Sequence, residues 1–207
     1  MSIVATVSIS GFFHEIVEDA IRTRGVAVTA GTTTYIVGLL ADFARPDGRA
    51  GETMERPLAF LLDEALHTAA PAERFERLRT LGDGVLYTSG FFGDHFEARG
   101  VEQSYLIGIG QTAYGSASSM LHRSGAASDA KNERPSMDIF AELAEKFATL
   151  VDVIAEVADD AVANGAAGSK GLLKLYERWL KTGSDRLAHA LSSQGLVPTR
   201  GTKGVLQ

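Results

Sequence analysis

Apolar residues recur at three- and four-residue intervals along most of this chain, the spacing that gathers them on one side of an α-helix. Phe13, Ile16, Val17, Ala20 and Ile21 form the first such stripe, and Gly25 follows it as a C-terminal stop. A second helix is predicted from about Thr32 to Ala44, with Ile36, Leu39, Leu40 and Phe43 inward. A third starts at Pro57 and carries Leu58, Leu61, Leu62, Ala65, Leu66 and Ala69. A fourth runs from Pro71 towards Arg99, with Phe75, Leu78, Val85, Phe92 and Phe96 on one side, and a fifth spans about Glu102 to His122.

After the polar stretch from Arg123 to Pro135, Ser136 is placed to cap a sixth helix. Its stripe is the most regular in the chain: Phe140, Leu143, Phe147, Leu150, Val151, Ile154, Val157 and Ala161, closed by Asn164 and Gly165. A seventh, roughly Ser169 to Ser192, carries Leu172, Tyr176, Trp179, Leu180, Leu187 and Leu191. Only Ser2–Ile9 and Val26–Val28 offer weak strand patterns. The expected architecture is all-α: one bundle of about seven helices over residues 1–194, with a loosely ordered C-terminal tail at 195–207.

Composition fits a globular domain, with 45% hydrophobic and 22% charged residues among 207. Five prolines, at 46, 57, 71, 135 and 198, fall between stripes or in the tail, where they spare helix interiors. A net charge of −6 gives no basic footprint for nucleic acid. Zero cysteines exclude disulfides and a thiolate nucleophile. The start of the chain lacks the basic-then-apolar order of a signal peptide, and no apolar run reaches ~18 residues. A cytoplasmic protein bound neither to nucleic acid nor to membrane is expected.

Candidate chemistry is sparse. Glu64 and His67 have the Glu-x-x-His spacing of di-iron bundles, but the helical wheel turns both away from the Leu61/Leu62/Ala65 stripe. Gly108, Gly110 and Ala113 match a dinucleotide fingerprint, yet the helical pattern begins upstream of them. No nucleophile elbow or Walker loop is present. His14 borders its apolar stripe one turn from Glu18, which suits either a structural pair or a metal or haem ligand. His95, His122 and His189 fall near helix ends or on polar faces.

Glycine carries the strongest residual signal, at 22 residues against a usual ~7%. Gly82, Ser89 and Gly93 share a side of the fourth helix, while Gly108, Thr112, Gly115, Ser116 and Ser119 recur along the fifth. Each interior glycine costs roughly 0.5–1 kcal/mol relative to alanine, so close approach is the expected compensation. Three arrangements meet that need: a tight internal crossing, a contact with a second copy, or a pocket for a small hydrophobic or planar ligand. The last would be framed by Tyr87, Phe91, Phe92, Tyr105 and Tyr114. No metal site is expected, and no particular cofactor is indicated.

The segments Phe13–Ala20, Leu81–Phe92 and Ser104–Gly115 resemble those of uncharacterised all-helical proteins encoded in proteobacterial genomes. That resemblance implies a bacterial cytoplasmic protein and brings no known activity. A second similarity is to haem-oxygenase-like bundles, which implies His14 as axial ligand and Gly108/Gly110 as the place of close macrocycle approach. The leading expectation is a non-catalytic binding or regulatory module acting as a homodimer. The alternative is a haem- or metal-dependent oxidoreductase using His14. The candidate ligand-binding residues are His14, Glu18, Ser89, Phe92, Tyr105, Gly108, Thr112 and Tyr114.

Overall fold

The computed structural model describes residues 9–44, 56–125, 138–164 and 168–196. All regular structure among them is helical, and Val26–Val28 forms no strand. Nine helices are present in the described residues: α1 (Ile9–Arg24), α2 (Ala30–Phe43), α3 (Leu58–His67), α4 (Pro71–Glu97), α5 (Gln103–Gly125), α6 (Ile139–Glu145), α7 (Phe147–Asn164), α8 (Gly168–Thr182) and α9 (Asp185–Ser193).

Nine replaces the expected seven because two stripes each contain a break. Lys146 leaves helical geometry at φ −98° and ψ 14°, dividing the sixth predicted helix into α6 and α7. Its ammonium reaches back to Ala27 O at 2.5 Å and Glu142 Oε1 at 2.8 Å. Neither Gly nor Pro marks that position, so the apolar period runs through it without a signal. At the second break Gly183 sits at φ 69°, a left-handed conformation that closes α8 and admits the turn into α9.

Helix ends follow local chemistry. Gly25, at φ 63°, closes α1: Gly25 N–H donates to Arg22 O and Val26 N–H to Ile21 O, each at 3.1 Å. Thr29 caps α2 by accepting from Thr32 N–H at 3.2 Å. Asp138 caps α6 by accepting from Phe140 N–H at 2.9 Å. Ser136, expected in that role, lies outside the described residues, as does the tail beyond Leu196.

The chain forms two compact units, residues 1–155 and 156–207, the boundary falling within α7. In the first, α4 packs along α5, α1 on α2, and α6 against α2 and α5. Leu78, Val85, Leu86, Leu106, Ala113, Leu143, Phe147, Leu150 and Ile154 are buried there. In the second, Leu175, Trp179, Leu187 and Leu191 form a core against Val162, Ala163, Leu172 and Tyr176. Beside that core Arg186 pairs with Glu156 at 3.0 Å and Asp160 at 2.6 Å, and Arg178 with Asp159 at 2.5 Å. Leu180, expected inward, is exposed, and Leu175 takes the core position instead.

Candidate functional site

In the first unit, the glycines of α4 and α5 admit side chains from elsewhere in the same unit. A Cβ built on Gly82 would lie 2.6 Å from Tyr114 Cε1, and one on Gly110 only 2.0 Å from Phe147 Cζ. Gly90, which the sequence pattern did not single out, would meet Ile154 Cγ2 at 2.5 Å. The close approach therefore comes from Gly82, Gly90 and Gly110. Gly93 and Gly108 meet nothing within 4 Å, and Gly115 makes only an ordinary contact with Ala144.

Seating the Tyr114 ring over Gly82 brings its hydroxyl to the next residue. Tyr114 Oη donates to Asp83 Oδ1 at 2.7 Å, and Tyr35 Oη of α2 donates to the same oxygen at 2.6 Å. Arg79 approaches Asp83 Oδ2 at 3.5 Å while binding Glu76 at 2.8 Å. Burial holds the Asp83 carboxyl above its ordinary range, against the two phenol hydrogen bonds and Arg79, which pull it down. Burial, and then the carboxylate charge and hydrogen bond, push both phenols well above theirs. Both phenols thus stay protonated and donate. The cluster ties α2, α4 and α5 together, its donors and acceptors directed at one another.

Two further acidic clusters anchor α6 in the same unit. Glu142 accepts from Thr29 N–H at 3.2 Å, Thr29 Oγ1 at 2.7 Å, Thr32 Oγ1 at 2.6 Å and Lys146 Nζ at 2.8 Å. Burial alone would raise its carboxyl, but these hydrogen bonds, led by that of Lys146, prevail and lower it to about 2. At the N-terminus of α6, Asp138 accepts a hydrogen bond from Ser118 Oγ and lies 3.3 Å from His122 Nδ1. Here the carboxylate, not the imidazole, takes the serine's hydrogen bond, so the order differs from a triad in which histidine contacts the nucleophile. Between these anchors Phe140 packs against the rings of Phe75, Tyr35 and Tyr114, with centroids 5.3–5.9 Å apart.

The eight sequence candidates do not converge. His14 and Glu18 face each other at 3.7 Å on α1, with both side chains about half exposed. Ser89 is buried, and its hydroxyl has no hydrogen-bond partner among the described residues. Phe92, expected inward, is exposed, because α4 leaves helical geometry there at φ −129° and ψ 20°. It adjoins a half-buried ladder in which Tyr87 stacks on Phe43 at 4.4 Å and on Phe91 at 4.7 Å. Tyr105, Gly108 and Thr112 lie together on the outer face of α5, whereas Tyr114 is fully buried on its inner face.

Gly108, Gly110 and Ala113 are helical throughout, without the strand-to-helix turn of a dinucleotide site. Glu64 and His67 are exposed and pair with Arg56 and Asp63 respectively. Among the described residues, no three of His, Cys, Asp and Glu converge as a metal site requires. No helix among them is long and apolar enough to cross a membrane.

Sequence reasoning missed Tyr35, Asp83, Thr29, Thr32, Asp138 and Glu142. Asp83 carried a signal: it stands between Gly82 and Gly84 beside an inward stripe, where an unpaired acid would be costly. Glu142 carried only its i, i+4 spacing to Lys146, since its threonine partners lie more than a hundred residues away. Comparison with family models, with curated proteins and with solved structures finds no match for the chain.

Proposed function

We propose that this chain is a non-catalytic binding module that works as a homodimer through the outer face of α5. The observation that supports it is that face itself. From Gln103 through Leu121 the helix contains no Asp, Glu, Lys or Arg. Tyr105, Gly108, Thr112 and Ser119 are nonetheless exposed along it.

Two of its hydroxyls are satisfied within the helix, Thr112 Oγ1 by Gly108 O at 2.8 Å and Ser119 Oγ by Gly115 O at 2.9 Å. A second helix can cover them without stranding a donor. Packing among the described residues does not explain Gly108, whose Cβ position is open there. A two-fold contact sets the same face against itself, so a face of one charge sign would oppose like charges. An uncharged face suits that symmetry.

Light scattering or sedimentation across a concentration series tests the assignment. The wild type is expected to be a dimer, and Gly108→Arg a monomer with unchanged helical content. A wild type that stays monomeric at high concentration, or a Gly108→Arg variant that stays dimeric, overturns it.

A further inference from the structure

Two of the histidines, His67 and His122, have the same local surroundings but different support. His122 Nδ1 lies 3.1 Å from Ser118 O and 3.3 Å from Asp138 Oδ2. His67 Nδ1 lies 2.9 Å from Asp63 O and 3.1 Å from Asp63 Oδ1. In both, a carbonyl one turn back and a carboxylate oxygen lie near Nδ1, which favours the neutral tautomer with its proton there and the Nε2 lone pair bare.

The carboxylates differ. Asp63 is on the same helix as His67, with its side chain 71% exposed. Asp138 comes from beyond α5, its side chain is only 11% exposed, and both its oxygens are held, by Phe140 N–H and by the Ser118 hydroxyl. The His122 ring itself remains 68% exposed. The result is an imidazole backed by a fixed, largely desolvated carboxylate and open to solvent.

From this arrangement we infer that His122 is a phosphoryl-acceptor site, with Nε2 as nucleophile, an acyl phosphate as the class of donor and Asp138 as the positioning residue. The Nε2 lone pair forms the N–P bond, the P–O bond to the acyl group breaks, and a carboxylate leaves with that electron pair. The ring becomes an N-phosphoryl imidazolium that keeps its Nδ1 proton, and Asp138 balances the new positive charge. An activated donor is required because an N–P bond to imidazole is itself readily hydrolysed, which a mixed anhydride satisfies. The carbonyls of the last turn disfavour an added anion.

The test incubates the whole protein with acetyl phosphate at neutral to mildly alkaline pH and maps acid-labile phosphate by mass spectrometry. His67 serves as control within the same molecule. Labelling of His122 is expected to be about three- to tenfold faster than that of His67, reflecting a tautomer backed by a fixed carboxylate rather than by an exposed, mobile one. Nitrogen-15 spectra should show protonated Nδ1 and bare Nε2 at His122. Asp138→Asn should bring both the rate and the spectrum to those of His67. Equal rates at the two histidines, or a proton on Nε2 of wild-type His122, overturns the assignment. Both of those measurements use only the wild type, so they decide the question even if Asp138→Asn does not fold.

Discussion

The ring of Tyr114 fills the volume that any side chain at position 82 would need. A Cβ on Gly82 would fall 2.6 Å from its Cε1 and 2.7 Å from its Cδ1. Gly82→Ala must therefore displace a fully buried ring and the hydroxyl bound to Asp83. A loss of about 1–3 kcal/mol is expected from urea denaturation, and more from Gly110→Ala, whose Cβ would meet Phe147 at 2.0 Å. Gly108→Ala meets nothing within 4 Å. Measured at concentrations low enough to keep the chain monomeric, it should gain roughly 0.5–1 kcal/mol.

Asp83 separates the role of an acceptor from that of a charge. Asp83→Asn keeps an oxygen for both phenols, and its stability should stay within about 1 kcal/mol of wild type near neutrality, while Asp83→Ala strands two donors and should cost about 2–5 kcal/mol. The sign with pH follows from burial. The folded carboxyl titrates above the ordinary value of 3.8. Its contribution is present below that unfolded value and is lost as pH rises through the folded one. Wild-type stability relative to the Asn variant should thus fall with rising pH. A flat difference in thermal midpoint would contradict this.

Glu142 has the opposite sign. Its folded carboxyl lies at about 2 against an ordinary 4.5. The stabilisation is complete above the unfolded value and disappears as pH falls through the folded one, and it corresponds to about 3 kcal/mol. Denaturant midpoints through the acid range should fall more steeply for wild type than for Glu142→Gln.

Ser89→Ala removes a buried hydroxyl that makes no hydrogen bond among the described residues. The variant should gain about 1 kcal/mol in thermal or urea unfolding, because it sheds a desolvated polar group and leaves only a small void. A marked loss would mean that the hydroxyl is satisfied within the folded chain.

The helical stripes were legible because burial follows a period that the sequence displays. Phe147, Leu150, Val151, Ile154 and Val157 are all essentially inaccessible, as their spacing predicts. The break at Lys146 was hidden because an amine reaching a distant carbonyl, not a helix-breaking residue, accompanies it. The glycine excess pointed to close packing between helices and to Gly82 within it, but it favoured Gly93, Gly108 and Gly115 where the structure uses Gly90 and Gly110. Gly82 and Gly108 look alike in a list, and only the third dimension supplies a ring to one and open space to the other. Tyr35 and Tyr114 reach Asp83 from 48 and 31 residues away, beyond what periodicity reports.

Helix α6 has seven residues, from Ile139 to Glu145. A helix of that length has no appreciable stability in water, since its nucleation cost exceeds what so few hydrogen bonds return. Its order is borrowed through Asp138, Phe140 and Glu142 from α5, from the rings of Phe75, Tyr35 and Tyr114, and from the start of α2. Those receivers lie far apart along the chain and must assemble before α6 has anything to hold. This short helix therefore reports on its receivers, and the protection of its amides gauges whether the surrounding unit is complete.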